Sequence, residues 1–522
     1  MDGVVRLGKG SAISGWSVVG TFAFLGLFLQ ASLELFYFPP ITAFQLFLLG
    51  VSVWRAVPDV SRSAGFGLAG MWLLSLFGGL LPILSERLEP WSWLVLQFLL
   101  AHALWLIVLL WRMARFEAHT ARRCFRASLI LLFSWLLLGT GSDLQRFHRE
   151  ILLFESFSVV LGLIAFGLGA RAAEALAAWL LAVLLVQLPS TFAAVQSGTG
   201  AISAWRALEV LGHIAFAGCL LGWFRHDAKA PLWVASGLAA MAIIYLVVVS
   251  VFWLRLEEPS MYDWFLNPPL FKHIRHIGYF LCPAIILCLW AFLACEGRAF
   301  LLFWLAYVVA AGLLLWSGGR GAFVASAAGV AFMLFAFRGF YSSQRLRWAL
   351  IGLLLALLLA ALFPVYDSGL GWLSALARSE EASTVNSLST GRLRIWSLQW
   401  KLVVEKPWFG WGGDVINEFF ARKRFVQAHN AFLQLLVEWG IAGLLVIGGG
   451  LATLLVKARF PLRSVDSLFD RRVLGGALVI ALLALSMVDG VLYHAMPSIL
   501  LTLGYAMLLS GRESRAHSEA IA

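Results

Sequence analysis

His429 and Asn430 open a long apolar stretch, and Gln434 and Glu438 follow at four-residue intervals. On a helix that spacing lines two amides and a carboxyl along one face, running away from the imidazole. Glu438 then falls about 13 Å along the axis from His429, a depth where an ionisable group in a membrane helix faces a partner or a cavity. Gly440 and Gly443 leave room for a neighbouring backbone. An uncharged imidazole at such a boundary can take a proton from an attacking hydroxyl. A histidine that merely caps a helix at the water interface has no need of the polar stripe behind it.

Arginines supply the second half of the chemistry. Arg320 stands in the tight Ser317-Gly-Gly-Arg320-Gly321 turn, Arg275 in Lys272-His273-Ile-Arg275-His276, and Arg392 and Arg394 at the start of a helical pattern. Guanidinium forks grip phosphate oxygens in pairs and stay charged at any working pH. They also stabilise charge building on a departing diphosphate. Simpler roles compete: Arg320 anchoring to lipid phosphate, Arg275 in a basic helix entry, Arg392 or Arg394 stacking on Trp396. Nearby arginines also favour the free base of a histidine, below the usual value of about 6.5. Neither a metal nor a cofactor is expected. The expected outer loops contain no Asp-x-Asp pair, and Glu257-Glu258 and Glu380-Glu381 read as solvated loop charges. Cys124, Cys219, Cys282, Cys288 and Cys295 read as small packing residues, giving neither a disulfide framework nor a zinc site. The chemistry these groups suit is glycosyl transfer from a polyprenyl diphosphate, with the lipid diphosphate as leaving group.

The elements that must hold these groups are membrane helices. Hydrophobic residues make up 61% of the 522-residue chain and charged residues 13%, and mean hydropathy is +0.87. No soluble domain of this size covers so much apolar surface. Apolar runs of ~17–25 residues recur without the alternation of a membrane barrel. The fold class is therefore all-α, a polytopic helical membrane protein. About sixteen spans are expected, near 14–35, 40–54, 64–84, 91–111, 126–140, 151–170, 173–195, 206–224, 232–254, 277–295, 299–316, 321–337, 348–365, 430–456, 473–489 and 496–510. The first is expected to be retained rather than cleaved as a signal.

Basic residues orient the whole. Arg55 and Arg62, Arg112 to Arg126, Arg225 and Lys229, Arg338 to Arg347, and Lys457 to Arg472 fall in alternate loops, which belong on the cytoplasmic side. Both termini then lie inside, and 255–276, 317–320 and 366–428 outside. The net charge of +11 is mostly anchoring against anionic lipid and calls for no nucleic acid. The segment 366–428 is too long for a bare connection. A helix is expected from about Gly391 to Glu405, with Ser389-Thr390 as caps and Pro407 and Gly410-Trp-Gly-Gly413 as stops. A second short helix is expected over Val415 to Arg424, the segment forming a lid over an outer-facing cavity.

The chain resembles the O-antigen ligase and polymerase superfamily, bacterial membrane glycosyltransferases of the GT-C type. His429-Asn430 followed by Gly440 and Gly443 fits the family pattern. Ser317-Gly-Gly-Arg320-Gly321 is similar to its Ser-Arg-Gly turn, with Gly319 where Ser often stands. Thr390-Gly-Arg392-Leu-Arg394-Ile-Trp396 and Pro407-Trp-Phe-Gly410-Trp-Gly412 resemble the approach to its catalytic histidine. The resemblance implies that Arg320 and Arg392 hold the donor diphosphate, with Arg275 and Arg394 in reserve, and that His429 is the general base. Asn430, Gln434 and Glu438 would orient it or shape the cavity. It covers about 126–510, leaving 1–125 as a four-helix extension and 511–522 as a cytoplasmic tail. The implied partners are an undecaprenyl-diphosphate-linked glycan, a glycan or lipid-glycan acceptor such as a lipid A core, and membrane lipids. The implied place is the bacterial inner membrane, with the site on the periplasmic face. Ligation is preferred over polymerisation. A lipid-linked glycan flippase would instead show interrupted helices in two related halves, and an envelope scaffold would keep its activity in His429→Ala.

Overall fold

The computed structural model describes residues 118–139, 144–167, 170–196, 199–362, 391–416, 427–458, 460, 465 and 467–511. The four expected spans before residue 112, the Ser389-Thr390 cap, most of the expected Val415–Arg424 helix and the tail lie outside these residues. Every regular element among them is helical.

The chain divides into two compact units. The smaller contains α1 (Ala118–Leu138) and the later part of α2 (Leu144–Phe166). Within it, the Ser128 and Ser158 hydroxyls meet at 2.9 Å. Phe125 packs edge-on against Phe166, and Arg122 donates to the Ala165 carbonyl. α1 begins ahead of the expected 126–140 span because its basic turn at Arg122, Arg123 and Arg126 is itself helical.

The larger unit is a bundle of α3 (Ala170–Gln196), α4 (Gly200–His226), α5 (Ala230–Arg255), α6 (Gly278–Ala294), α7 (Gly297–Ser317), α8 (Arg320–Ala336) and α9 (Ser343–Leu362). It continues with α10 (Arg392–Glu405), α11 (Ala431–Gly443), a π-helical turn at Leu444–Gly448, α12 (Gly449–Lys457), α13 (Arg471–Ser486) and α14 (Ala495–Leu509). Among the described residues, seven helical stretches are long and apolar enough to cross a membrane: 172–196, 202–226, 230–255, 274–294, 297–317, 343–362 and 431–457. α8 and α14 are apolar but shorter.

Pattern and caps explain these elements. α6 is apolar on every face and every one of its residues is buried, as befits the helix at the centre of a bundle. It packs against α5, α7, α8, α13 and α14. α7 ends where Gly318 turns left-handed at φ 62°. Asp470 caps α13 by accepting from the Arg472 backbone N–H. α13 and α14 approach so closely that a Cβ on Gly475 would lie 2.3 Å from the Leu508 nitrogen.

Helix ends sort into two sets. The ends of α4, α8 and α12 and the starts of α5, α9 and α13 carry Arg225, Lys229, Arg338, Arg345, Lys457 and Arg471. The opposite set comprises the starts of α6, α8, α11 and α14 and the ends of α5, α7 and α13. This second set holds the candidate site.

Candidate functional site

His429 sits in the turn that leads into α11, with its backbone in the left-handed region at φ 50°. The residue before it is held from both sides. The Ala428 N–H donates to Gln434 Oε1 at 2.8 Å, and its carbonyl accepts from Trp396 Nε1 at 2.9 Å. Asn430 behind it caps α11, accepting from the Leu433 N–H at 3.0 Å, and donates to the Met487 carbonyl. An unfavourable φ persists when its surroundings over-determine it, and here both flanking residues are fastened.

The imidazole meets a carboxylate that the sequence reading did not single out. His429 Nδ1 lies 3.3 Å from Asp489 Oδ1, in the turn between α13 and α14. The same oxygen accepts from the Tyr279 hydroxyl at 2.9 Å and from the Gly490 N–H at 2.8 Å. Burial alone would raise the Asp489 carboxyl. The His429 hydrogen bond and the charges of Arg275, His429 and His276 outweigh it and hold the group well below the usual carboxylate range. An ionised Asp489 accepting from Nδ1–H leaves His429 Nε2 with its lone pair. Burial lowers the His429 imidazole from 6.5. The Asp489 hydrogen bond opposes this, the Arg275 charge reinforces it, and the net shift is downward. His429 is therefore a free base at neutral pH.

Two of the four expected arginines act on this pair, and a third, Arg320, acts on one of those two. The Arg275 and Arg392 charges act on His429, and the Arg275 and Arg320 charges act on Arg392. Burial lowers the Arg392 guanidinium from its ordinary value, and its two cationic neighbours lower it further against Asp489. It remains a cation at working pH. Arg275 and Arg392 each bury an Nε–H with no hydrogen-bond acceptor among the described residues. Arg394 lies on the same turn of α10 but is exposed. Arg320 and Arg392 also stand at the N-termini of α8 and α10, where helix dipoles add to the positive potential.

Local folding delivers these arginines. Trp264, 1% exposed, stacks on Trp253 and packs edge-on against Trp316. It pins the loop so that the Ile274 N–H reaches the Phe265 carbonyl. A short 3₁₀ turn over Ile274–Ile277 then presents Arg275. His273 accepts from the Arg275 N–H. Burial, and then the charges of Arg275 and His276, push its imidazole down to about 3.

Gln434 and Glu438, the inner part of the polar stripe, are buried. Gln434 Nε2 donates to Glu438 Oε1 at 2.7 Å, which also accepts from the Asp414 N–H at 3.1 Å. Glu438 Oε2 lies 3.6 Å from Arg206 Nε. Below it, α11 breaks at Gly440 (φ 65°, ψ −162°). There the segment after α10 docks backbone to backbone. Trp411 and Gly412 donate to the Val437 and Glu438 carbonyls, and Ile441 and Ala442 donate to those of Pro407 and Trp408. Gly440 thus meets a neighbouring backbone as expected. Gly443 makes room instead for the Trp439 side chain one turn back.

Sequence reasoning missed Asp489, Tyr279, His494, Gln427 and a buried cluster around Arg206. Asp489 carried a signal: a lone acid at the end of the apolar run expected at 473–489. Arg206, Glu209 and His213 carried one too, lying on one helical face inside an apolar span. Gln427 and Tyr279 carried none that the sequence alone discloses. His494 contacts Gln427 at 2.8 Å and packs against His276 and Tyr279. Among the described residues, no group of three or more His, Cys, Asp and Glu side chains is arranged to hold a metal ion.

Residues 305–448 match the family model described as O-antigen ligase. The chain thus carries an O-antigen ligase family segment, running from α7 through the π-helical turn and including Arg320, Arg392 and His429. The apolar helices that surround this segment mark a multi-pass membrane protein. No curated protein matches the chain.

Proposed function

We propose that the protein transfers a glycan from an undecaprenyl diphosphate to a sugar hydroxyl, without a metal ion, at the periplasmic face of the bacterial inner membrane. The observation that carries the reading is the meeting of a base-competent His429–Asp489 pair with Arg275, Arg320 and Arg392. The buried, unanswered Nε–H groups of Arg275 and Arg392 suit an anionic guest. In the step proposed, the acceptor oxygen attacks the anomeric carbon and its proton passes to His429 Nε2. The bond from that carbon to the diphosphate oxygen breaks, and the lipid diphosphate leaves as an anion held by the arginines. The imidazolium is stabilised by Asp489.

The basic helix ends described above favour the cytoplasm, which supports a periplasmic His429. Both termini would then be cytoplasmic. The proposed architecture has about sixteen spans, a four-helix extension over 1–125, a transferase domain over 126–510 and a periplasmic loop over 366–428. Ligase and polymerase forms of the reaction differ in the acceptor, and ligation to a lipid-borne glycan is the form we favour.

The test is reconstitution of the full chain in liposomes with a polyprenyl-diphosphate glycan and candidate acceptors, with and without EDTA. Transfer that survives chelation and is lost in Arg320→Ala and His429→Ala supports the proposal. Chelator-sensitive transfer overturns the metal-free mechanism, and full activity in His429→Ala overturns the base assignment.

A further inference from the structure

Arg206 lies in α4, far along the chain from His429, and is 4% exposed. Its contacts fall into two branches. One guanidinium nitrogen donates to the Leu492 carbonyl and the other to the Tyr493 carbonyl at 3.3 Å. These carbonyls belong to the turn that carries Asp489. The Nε side faces Glu438 Oε2 at 3.6 Å. Glu438 binds Gln434, and Gln434 accepts from the N–H of Ala428, next to His429. One cation therefore fastens the turn bearing the acid and, through two side chains, the turn bearing the base.

The rest of the cluster keeps that cation in place. Glu209 takes an Arg206 N–H at 2.5 Å and is itself approached by His148 at 3.0 Å and His213 at 3.7 Å. The guanidinium also lies over the Trp439 and Tyr493 rings. Tyr493 donates to Asp414 at 2.5 Å. A lysine ammonium is a point charge and cannot reach two carbonyls and two carboxylates in one plane.

We infer that Arg206 is a positioning residue for the transfer reaction, setting the distance between His429 and Asp489 without touching substrate. The inference rests on the proposed base role of His429 and adds to it a residue outside the family segment.

A double-mutant cycle on the full chain tests it. Arg206→Met is expected to lower kcat about 10- to 100-fold with donor KM changed less than about threefold, since a geometric fault at the reacting groups costs rate rather than ground-state binding. On an Asp489→Asn background, where the pair is already broken, the same substitution is expected to cost less than about threefold. Equal losses on both backgrounds, or a loss that falls on KM, overturns the inference. Arg206→Lys keeps the buried charge opposite Glu209 and Glu438. It is expected to fold and still lose most of kcat, and wild-type kcat in Arg206→Lys also overturns it.

A second measurement needs no transfer activity. The rate at which diethylpyrocarbonate modifies His429, followed by mass spectrometry, should change in Arg206→Met as it does in Asp489→Asn, with no further change in the double variant. Independent changes overturn the clamp. If wild-type protein transfers no glycan while the modification rates behave as expected, the transferase proposal falls and the clamp stands.

Discussion

Gly440 and Trp408 touch backbone to backbone: a Cβ on Gly440 would lie 2.4 Å from the Trp408 carbonyl. The relationship is reciprocal, since a Cβ on Gly410 would lie 2.6 Å from the Glu438 carbonyl. Both glycines have positive φ. α11 gives up its regular course at this point, and the 407–412 segment provides donors and acceptors for the groups so released.

Gly440→Ala is expected to unfold this junction. Its φ and ψ fall in a region almost confined to glycine, and leaving it costs about 1–3 kcal/mol before the clash is counted. Gly449, in α12 with open space around its Cα, is the control. Gly449→Ala is expected to stabilise by up to about 1 kcal/mol. Thermal unfolding in detergent should therefore shift in opposite directions for the two variants.

Asp489→Asn keeps the shape of the acid but removes its charge. The His429 tautomer is then no longer fixed, and kcat is expected to fall roughly 100- to 10,000-fold, the range of a general-base contribution. Steady-state kinetics on reconstituted protein checks this. A loss under threefold would remove Asp489 from the mechanism.

The pH profile follows from the direction of the His429 shift. Its imidazole is lowered from 6.5, so the free base dominates above that value and is lost as pH falls through the lowered pKa. The plot of kcat/KM should therefore rise with pH along an acid limb centred below about 6.5 and then level off. The Asp489 interactions oppose the lowering, so the residual activity of Asp489→Asn should show a limb at still lower pH. A limb centred above 7 would contradict the assignment.

Arg392 and Arg394 stand on one turn yet should behave differently. Arg392 is partly buried beside the His429–Asp489 pair and keeps a buried N–H unanswered, whereas Arg394 is exposed. Arg392→Lys is expected to lower kcat/KM about 10- to 100-fold, the worth of one or two charge-assisted hydrogen bonds. Arg394→Lys should stay within about threefold. Equal effects would place both guanidiniums at the donor.

The sequence disclosed what depends on local pattern. The helix expected over Gly391–Glu405 is Arg392–Glu405, and the spans expected at 277–295 and 299–316 are Gly278–Ala294 and Gly297–Ser317. Long apolar runs with charged ends specify such boundaries almost alone. Interactions distant in sequence were hidden. Asp489 joins His429 across 60 positions, and Arg206 joins Leu492 across 286; no periodicity encodes either pairing. The break at Gly440 was concealed for a related reason. Apolar continuity through 431–457 reads as one helix, and only the docked 407–412 segment shows where its hydrogen bonds are exchanged.

The left-handed backbone at His429 sets fitness for reaction against ease of folding. Outside glycine such a conformation is uncommon, though histidine tolerates it better than most residues. Glycine in place of this imidazole should therefore give an inert protein sturdier than the alanine counterpart. The turn that bears the base is a place where the chain has accepted a less comfortable shape to aim a reactive ring.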